Sequence, residues 1–254
     1  MSFEVPADAY GRFMGRWSEP LATQFAVLLE LTPGQRVLDV GCGPGALTTV
    51  LVERLGAGNV VAVDPSEPFV AALRERLPEV DVRRAPAEAL PLADGTVDAA
   101  AAQLVVHFMR DPVAGVREMA RVTRPGGVVA ACVWDHAGGT GPLAVFWRAV
   151  RSLDPEAADE SNLVGSRQGD LERVLSEAGL AGVAGGMLTV HRRFGGVDEW
   201  WEPYTLGVGP AGAYVAGLDG ERREALRARC RELLPSVPFE LSASAWWARG
   251  RVAG

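Results

Sequence analysis

Short apolar runs alternate with helical periodicities through the first half of the chain. The runs at 36–41 (RVLDVG), 59–64 (NVVAVD), 80–85 (VDVRRA), 97–106 (VDAAAAQLVV) and 126–134 (GGVVAACVW) are bounded by turn residues and are mostly continuous in hydrophobicity. Strands covered on both faces of a parallel sheet read this way. Between them, ALTTVLVERLG, EPFVAALRERLP and DPVAGVREMARVTRPGG carry apolar residues at helical spacing and close on Gly or Pro. The alternation predicts a doubly wound α/β sheet, whose ligand edge lies at the carboxyl ends of its strands.

The second half is less regular. PLAVFWRAVRSL reads as a helix and runs into a polar, acidic loop, DPEAADESNLVGSRQGD, before the helical LERVLSEAGL. A strand at 183–194, the aromatic segment DEWWEPYTLG, a charged helix over 219–234 and the strand-like FELSASAWWARGRV follow. These two strands complete the sheet, with 141–170 and 197–235 expected as a helical cap over its ligand edge. The division expected is capping or lid helices over 1–30, a ligand-binding core over 31–140, and the end of the sheet with its cap over 141–254, all in one domain.

Composition narrows the partners. Of 254 residues, 25 are Lys or Arg against 32 Asp or Glu, a formal charge of −7, so a phosphate backbone meets a repulsive mean field and nucleic acid is not expected. Cys42, Cys132 and Cys230 lack C-x-x-C spacing, which argues for reduced thiols rather than a disulfide framework or a metal site. The first residues lack a signal pattern and no apolar run approaches the roughly 20 residues of a membrane helix, so a cytoplasmic location is expected.

VLDVGCGPG, residues 37–45, sets a strand directly against three glycines. Gly41, Gly43 and Ala46 nominally fit a dinucleotide fingerprint, and Asp64 ends the next strand where an acid holds a ribose diol. Asp39 changes the reading. A carboxylate at that strand end repels a pyrophosphate but attracts an ammonium, and S-adenosylmethionine combines an adenosine with an amino acid head group.

Four stretches in order, VLDVGCGPG, VVAVDPS, APAEALPLADGTVDAA and ARVTRPGGVV, resemble the motifs of the class I S-adenosylmethionine-dependent methyltransferases, in particular those with a methyltransferase 11 type core. The resemblance covers about 10–135 well and the remainder loosely. It implies a Rossmann-like, mostly parallel seven-stranded sheet, S-adenosylmethionine as cofactor and no metal. It also implies roles. Gly41 and Gly43 admit the methionine portion, with Cys42 as small filler between them, and Asp39 acts near the amino group. Asp64 accepts from the ribose, Pro65 lies against the adenine with Ala87 and Glu88 at its edge, and Gln103 faces the cofactor. An aspartate common in the family is replaced by Pro86, which puts the adenine contacts in doubt. The N-terminal AYGRFMGRW, with Tyr10 at helical spacing, reads as a packed helix or a lid, offering Arg16 to the methionine carboxylate.

Methyl transfer asks little of side chains beyond alignment, exclusion of water and removal of a proton. No N/D-P-P-Y/F motif follows the fourth strand; the sequence there is AQLVVHFM. His107 is therefore the candidate base or acceptor-orienting residue, its reference pKa near 6.5 suiting proton transfer at neutral pH, with His136 the second candidate. Asp135, Trp147, Trp200, Trp201 and Tyr204 are candidates for an aromatic-lined acceptor site. The function expected is methyl transfer to a small organic molecule, such as a secondary metabolite, by a monomer or homodimer. A second reading is open: a methyltransferase-like fold that uses the cofactor or its pocket for binding or for a non-methylating rearrangement.

Overall fold

Seven strands form a single sheet in the order β3-β2-β1-β4-β5-β7-β6. The computed structural model describes residues 7–254, so residues 1–6 of the expected 1–30 lid lie outside the described residues. In chain order the elements are α1 (Ala7–Tyr10), a π-helical turn (Gly11–Gly15), α2 (Arg16–Phe25), β1 (Val37–Val40), α3 (Ala46–Leu55), β2 (Val60–Asp64), α4 (Glu67–Arg76) and β3 (Asp81–Arg84). Then come β4 (Val97–Gln103), α5 (Pro112–Val122), β5 (Thr123–Trp134), α6 (Ala144–Leu153), α7 (Asp170–Glu177), β6 (Ala181–Phe194), α8 (Val197–Trp201), α9 (Gly209–Ala216), α10 (Gly220–Leu233) and β7 (Phe239–Arg251).

β1 to β5 run parallel, and only β7 is antiparallel to its neighbours. The alternating pattern anticipated the doubly wound sheet, and the family resemblance its mostly parallel, seven-stranded form. The strand order reverses between β1 and β4, which puts a crevice at their carboxyl ends.

Alternation along the strands divides the interior. Val37, Val60, Ala62, Ala99, Ala101 and Ala130 face one layer, covered by α2, α3 and α6, whereas Leu38, Val40, Val61, Ala100, Ala102 and Val129 face the other, covered by α5 and α7. α5 shows why the helices start where they do: Asp111 caps it by accepting from Ala114 N–H at 2.9 Å, Pro112 opens it, and Val116, Met119 and Val122 supply its buried stripe. One boundary differs from the sequence reading. β4 ends at Gln103 rather than at 106, because Leu104 takes a left-handed φ of 63° and Val106–Phe108 closes into a 3-10 turn.

The N-terminal helix is part of the core: Trp17, Leu21 and Phe25 of α2 are buried in the first layer, and α2 packs against β6. Phe25 is 0% exposed. Phe25→Ala is therefore expected to lower stability by about 3–5 kcal/mol in urea unfolding. A midpoint unchanged from the parent would mean that α2 is an appendage rather than a structural layer.

Candidate functional site

β1 delivers Asp39 onto the face it shares with Val37, between the small neighbours Ala62 and Ala101 on β2 and β4. Thr48, in the first turn of α3, donates its hydroxyl to Asp39 Oδ2 at 2.6 Å. Asp64, at the end of β2, accepts from Gly43 N–H at 2.9 Å through Oδ2 and from Ser66 N–H at 2.8 Å through Oδ1. The glycine turn is thus tied down by β2, since Gly41 N–H and Cys42 N–H also donate to Val63 O. Burial pushes the Asp39 carboxyl up to about 7, with the nearby Asp64 adding to the effect. Burial likewise raises Asp64, while the amides of Ser66 and Gly43 oppose the rise.

Under this turn lies a cavity of about 260 Å³. Tyr10, Asp39, Gly41, Cys42, Gly43 and Gln103 all line it, as do Ser18, Glu19 and Arg76, which the sequence reading did not select. Gln103 donates Nε2–H to Ser18 O at 2.9 Å, and its Oε1 is buried without a partner. Arg76, at the end of α4, reaches Gly45 O and Thr49 Oγ1 at 3.0 and 3.1 Å. A buried carboxyl, an unpartnered carbonyl oxygen and one guanidinium suit a zwitterionic amino acid head group; two acids near the turn do not suit a pyrophosphate. Tyr10 packs on Phe69 with ring centroids 5.3 Å apart, its phenol pushed up to about 12 by burial and then by Asp64.

Several expected contacts are placed differently. Arg16 points into the cap, donating to Glu199 O at 3.1 Å beside the Phe194 ring, and does not line the cavity. Gly41 owes its identity to the protein itself, because at φ 68° an added Cβ would sit 2.4 Å from Val105 Cγ2. Gly43, at φ 52°, has open space where a Cβ would point. Glu88 accepts from Arg110 N–H at 2.7 Å, so it caps the turn before α5, and Ala87 is packed in the second layer. Pro65 is exposed, its carbonyl accepting from Arg84.

A second, narrower cavity of about 40 Å³ adjoins the first. Tyr10 and Leu104 belong to the walls of both. Phe13, Met14, Trp134 and Leu143 contribute to its apolar surface, with His107, His136, Glu160 and the Tyr10 phenol as its titratable groups. The two imidazole centroids are 6.1 Å apart. Burial lowers His107 well below the usual histidine range, with His136 contributing, and His136 falls to about 4 from burial despite Asp159 and Asp135. The value near 6.5 expected for His107 is thus corrected: both rings are neutral at neutral pH. Glu160 escaped the sequence reading because its loop is acidic and polar; it is 6% exposed, and Trp147 Nε1–H donates to its Oε2 at 2.7 Å.

The cap aromatics are corrected as well. Trp200, Trp201 and Tyr204 do not line the second cavity but form the core of the cap, with Tyr204 stacked on Phe146 at 4.6 Å and Phe13 edge-on to it. Trp147 borders a small side cavity shared with Asp135, His136 and Glu160. Asp135 is held by Gly138 N–H, Thr140 Oγ1–H and Trp246 Nε1–H, which makes it the organiser of the turn after β5. Among the described residues no helix is long and apolar enough to cross a membrane.

Residues 38–131 match the family model described as a methyltransferase domain. An uncharacterized methyltransferase of Mycobacterium tuberculosis is 45% identical over 135 residues, 53% of this chain and 52% of that protein. The demethylmenaquinone methyltransferase of Beutenbergia cavernae is 33% identical over 65% of this chain and 75% of its own length. The chain spans about half the length, or less, of the first curated relatives it matches. Among solved structures, the geranyl diphosphate C-methyltransferase of Streptomyces coelicolor, in complex with Mg2+, geranyl diphosphate and S-adenosyl-L-homocysteine, shares the fold. It has a TM-score of 0.54 at 15% identity, over 94% of this chain and 80% of that one.

The raised Asp39 has a consequence for stability. Its folded pKa lies above the unfolded value near 4, so the folded state holds the extra proton between about pH 4 and 7, and stability falls as pH rises through that window. Ligand-free Asp39→Asn is expected to lose less stability than the parent between pH 5 and 8, by on the order of 2–4 kcal/mol in urea unfolding. Parallel pH dependences for the two proteins would show that Asp39 is not charged against its burial.

Proposed function

We propose that this chain, which belongs to the class I S-adenosylmethionine-dependent methyltransferases, moves a methyl group onto a small, largely apolar acceptor seated in the second cavity. The observation that carries the acceptor's place is the pair of adjoining cavities. One is floored by the glycine turn and the buried Asp39 carboxyl, the other is walled by apolar rings, and Tyr10 and Leu104 stand between them.

The residues of the first cavity fit the cofactor. Asp39 and Gln103 Oε1 would receive the ammonium of the methionine moiety and Arg76 would receive its carboxylate. The Asp64 carboxylate, which is buried behind the turn and not in that cavity's wall, keeps lone pairs beyond the two amides it already accepts from, enough for a ribose diol. When bound, S-adenosylmethionine supplies a methyl group already activated by its positive sulfur. What is left to the chain is to hold the acceptor in line and to keep water out. Phe13 and Met14, from the N-terminal helical segment, and Leu143, ahead of α6, serve the second task by closing the apolar cavity. At about 40 Å³ that cavity receives the acceptor's reacting group.

Two substitutions separate the cavities. Asp64→Ala is expected to weaken S-adenosylhomocysteine binding at least tenfold by calorimetry, the loss of a charged acceptor being worth about 1.5–3 kcal/mol. Met14→Trp fills the second cavity from a half-buried position. In thermal-shift screens of the S-adenosylhomocysteine-loaded protein against small apolar molecules, compounds that stabilise the parent should no longer stabilise Met14→Trp, while its S-adenosylhomocysteine affinity stays within about threefold. Hits that survive Met14→Trp would move the acceptor elsewhere.

A further inference from the structure

The walls of the second cavity hold one carboxyl, and its surroundings set it apart from both histidines. Glu160 sits in the segment between α6 and α7, yet it borders both the second cavity and the small side cavity behind it. Trp147 Nε1–H fixes Oε2 at 2.7 Å, and Oε1 has no hydrogen-bond partner among the described residues. One oxygen is anchored and the other is left for a ligand.

We propose that Glu160, and neither His107 nor His136, takes the proton from the acceptor, and that this acceptor presents a hydroxyl group, as a phenol does. The inference rests on the methyl-transfer reading above. A carboxylate is acceptor-only, so the group beside it must bring a hydrogen. Trp134, in the same wall, has an Nε1–H that is buried without a partner, a donor that can only be met by a lone pair. A hydroxyl oxygen meets both demands, because it donates its hydrogen and keeps a second lone pair while the first attacks. A neutral amine has a single lone pair, which methylation consumes, so it leaves Trp134 unmet.

The step balances. The acceptor's O–H bond breaks and its proton passes to Glu160 Oε1. An electron pair of the oxygen forms the bond to the methyl carbon, and the pair of the broken C–S bond stays with sulfur. Glu160 then returns the proton to solvent.

The electrostatic setting agrees with the role. Burial raises Glu160 to about 7, with the neighbouring Asp159 adding and the Trp147 bond opposing. Asp159 is itself paired with Arg151. His136 and His107 face the cavity uncharged, and the Tyr204 phenol, pushed well up by burial and then by Cys230 and Glu160, stays protonated. A base is most effective when its pKa lies near the working pH, which Glu160 satisfies and the histidines do not. The carboxylate form appears as pH rises through 7, so the rate should rise through the same window.

The test offers a panel of substituted phenols and shape-matched anilines to the protein with S-adenosylmethionine and reads product mass. The expected products are aryl methyl ethers. Glu160→Gln should lower kcat at least tenfold, leave S-adenosylhomocysteine affinity within twofold, and lose the rising limb near pH 7, whereas Glu160→Asp should keep the limb at reduced rate. Independently of turnover, the ligand-free parent should show, beside the Asp39 contribution that Asp39→Asn removes, an infrared carboxylic acid band that titrates near pH 7 and is missing from Glu160→Gln. Retention of both rate and limb in Glu160→Gln, or absence of that band in the parent, would overturn the assignment of the base. Methylation of anilines in preference to phenols, or no turnover of any phenol by protein that binds S-adenosylhomocysteine, would overturn the hydroxyl class. Failure to bind S-adenosylhomocysteine at all would instead remove the methyl-transfer reading beneath it.

Discussion

Two carboxyls buried at neighbouring strand ends are the constraint around which this site is arranged. Asp39 and Asp64 are 1% and 6% exposed, and burial, with Asp64 adding, raises the cost of charging Asp39. Burying like charges in a weakly polar interior is tolerable only with donors aimed at them. The chain answers with local groups: the Thr48 hydroxyl from the first turn of α3, and the amides of Gly43 and Ser66. Those bonds dictate the glycine turn, because an amide at 43 can reach Asp64 only if the backbone doubles back through left-handed conformations. The donors still leave Asp39 near half-ionised at neutral pH, and a cationic head group would complete what the fold leaves undone.

The second cavity depends on a different kind of interaction. Phe13, Phe146, Trp200, Trp201 and Tyr204 pack on one another into the core of the cap, and Trp147 turns its Nε1–H toward Glu160. Trp147 thus sets the position of a buried carboxyl, and of the packed rings only Phe13 also lines the second cavity. Burial in the same region holds His107 and His136 neutral.

The sheet and the glycine turn were legible in the sequence because their signals are local. VLDV and VVAVD are continuous apolar runs of strand length, and Asp39 and Asp64 stand out as charges at the ends of such runs. The cap was less legible. Trp200, Trp201 and Tyr204 have a spacing that serves equally for a packed core or a pocket wall, and only their mutual packing decides. Arg16 lies in the right helix but on its cap-facing side, where Glu199 and Phe194 receive it. Glu160 was hidden for the converse reason: a glutamate in an acidic loop reads as solvated, and its burial comes from Trp147, thirteen residues earlier in the chain. The altered basicity of His107 was equally out of reach, since it arises from burial and from His136 after the next strand.

The most direct test of this account is the number of protons exchanged when S-adenosylhomocysteine binds at pH 7, measured by calorimetry in buffers of different ionisation enthalpy. An ammonium placed beside Asp39 should pull its pKa down from about 7, so binding to the parent protein should release a fraction of a proton, and binding to Asp39→Asn should release markedly less. Binding with no net proton release, or with the same release in both proteins, would contradict the claim that the buried carboxyl under the glycine turn receives the cofactor's head group.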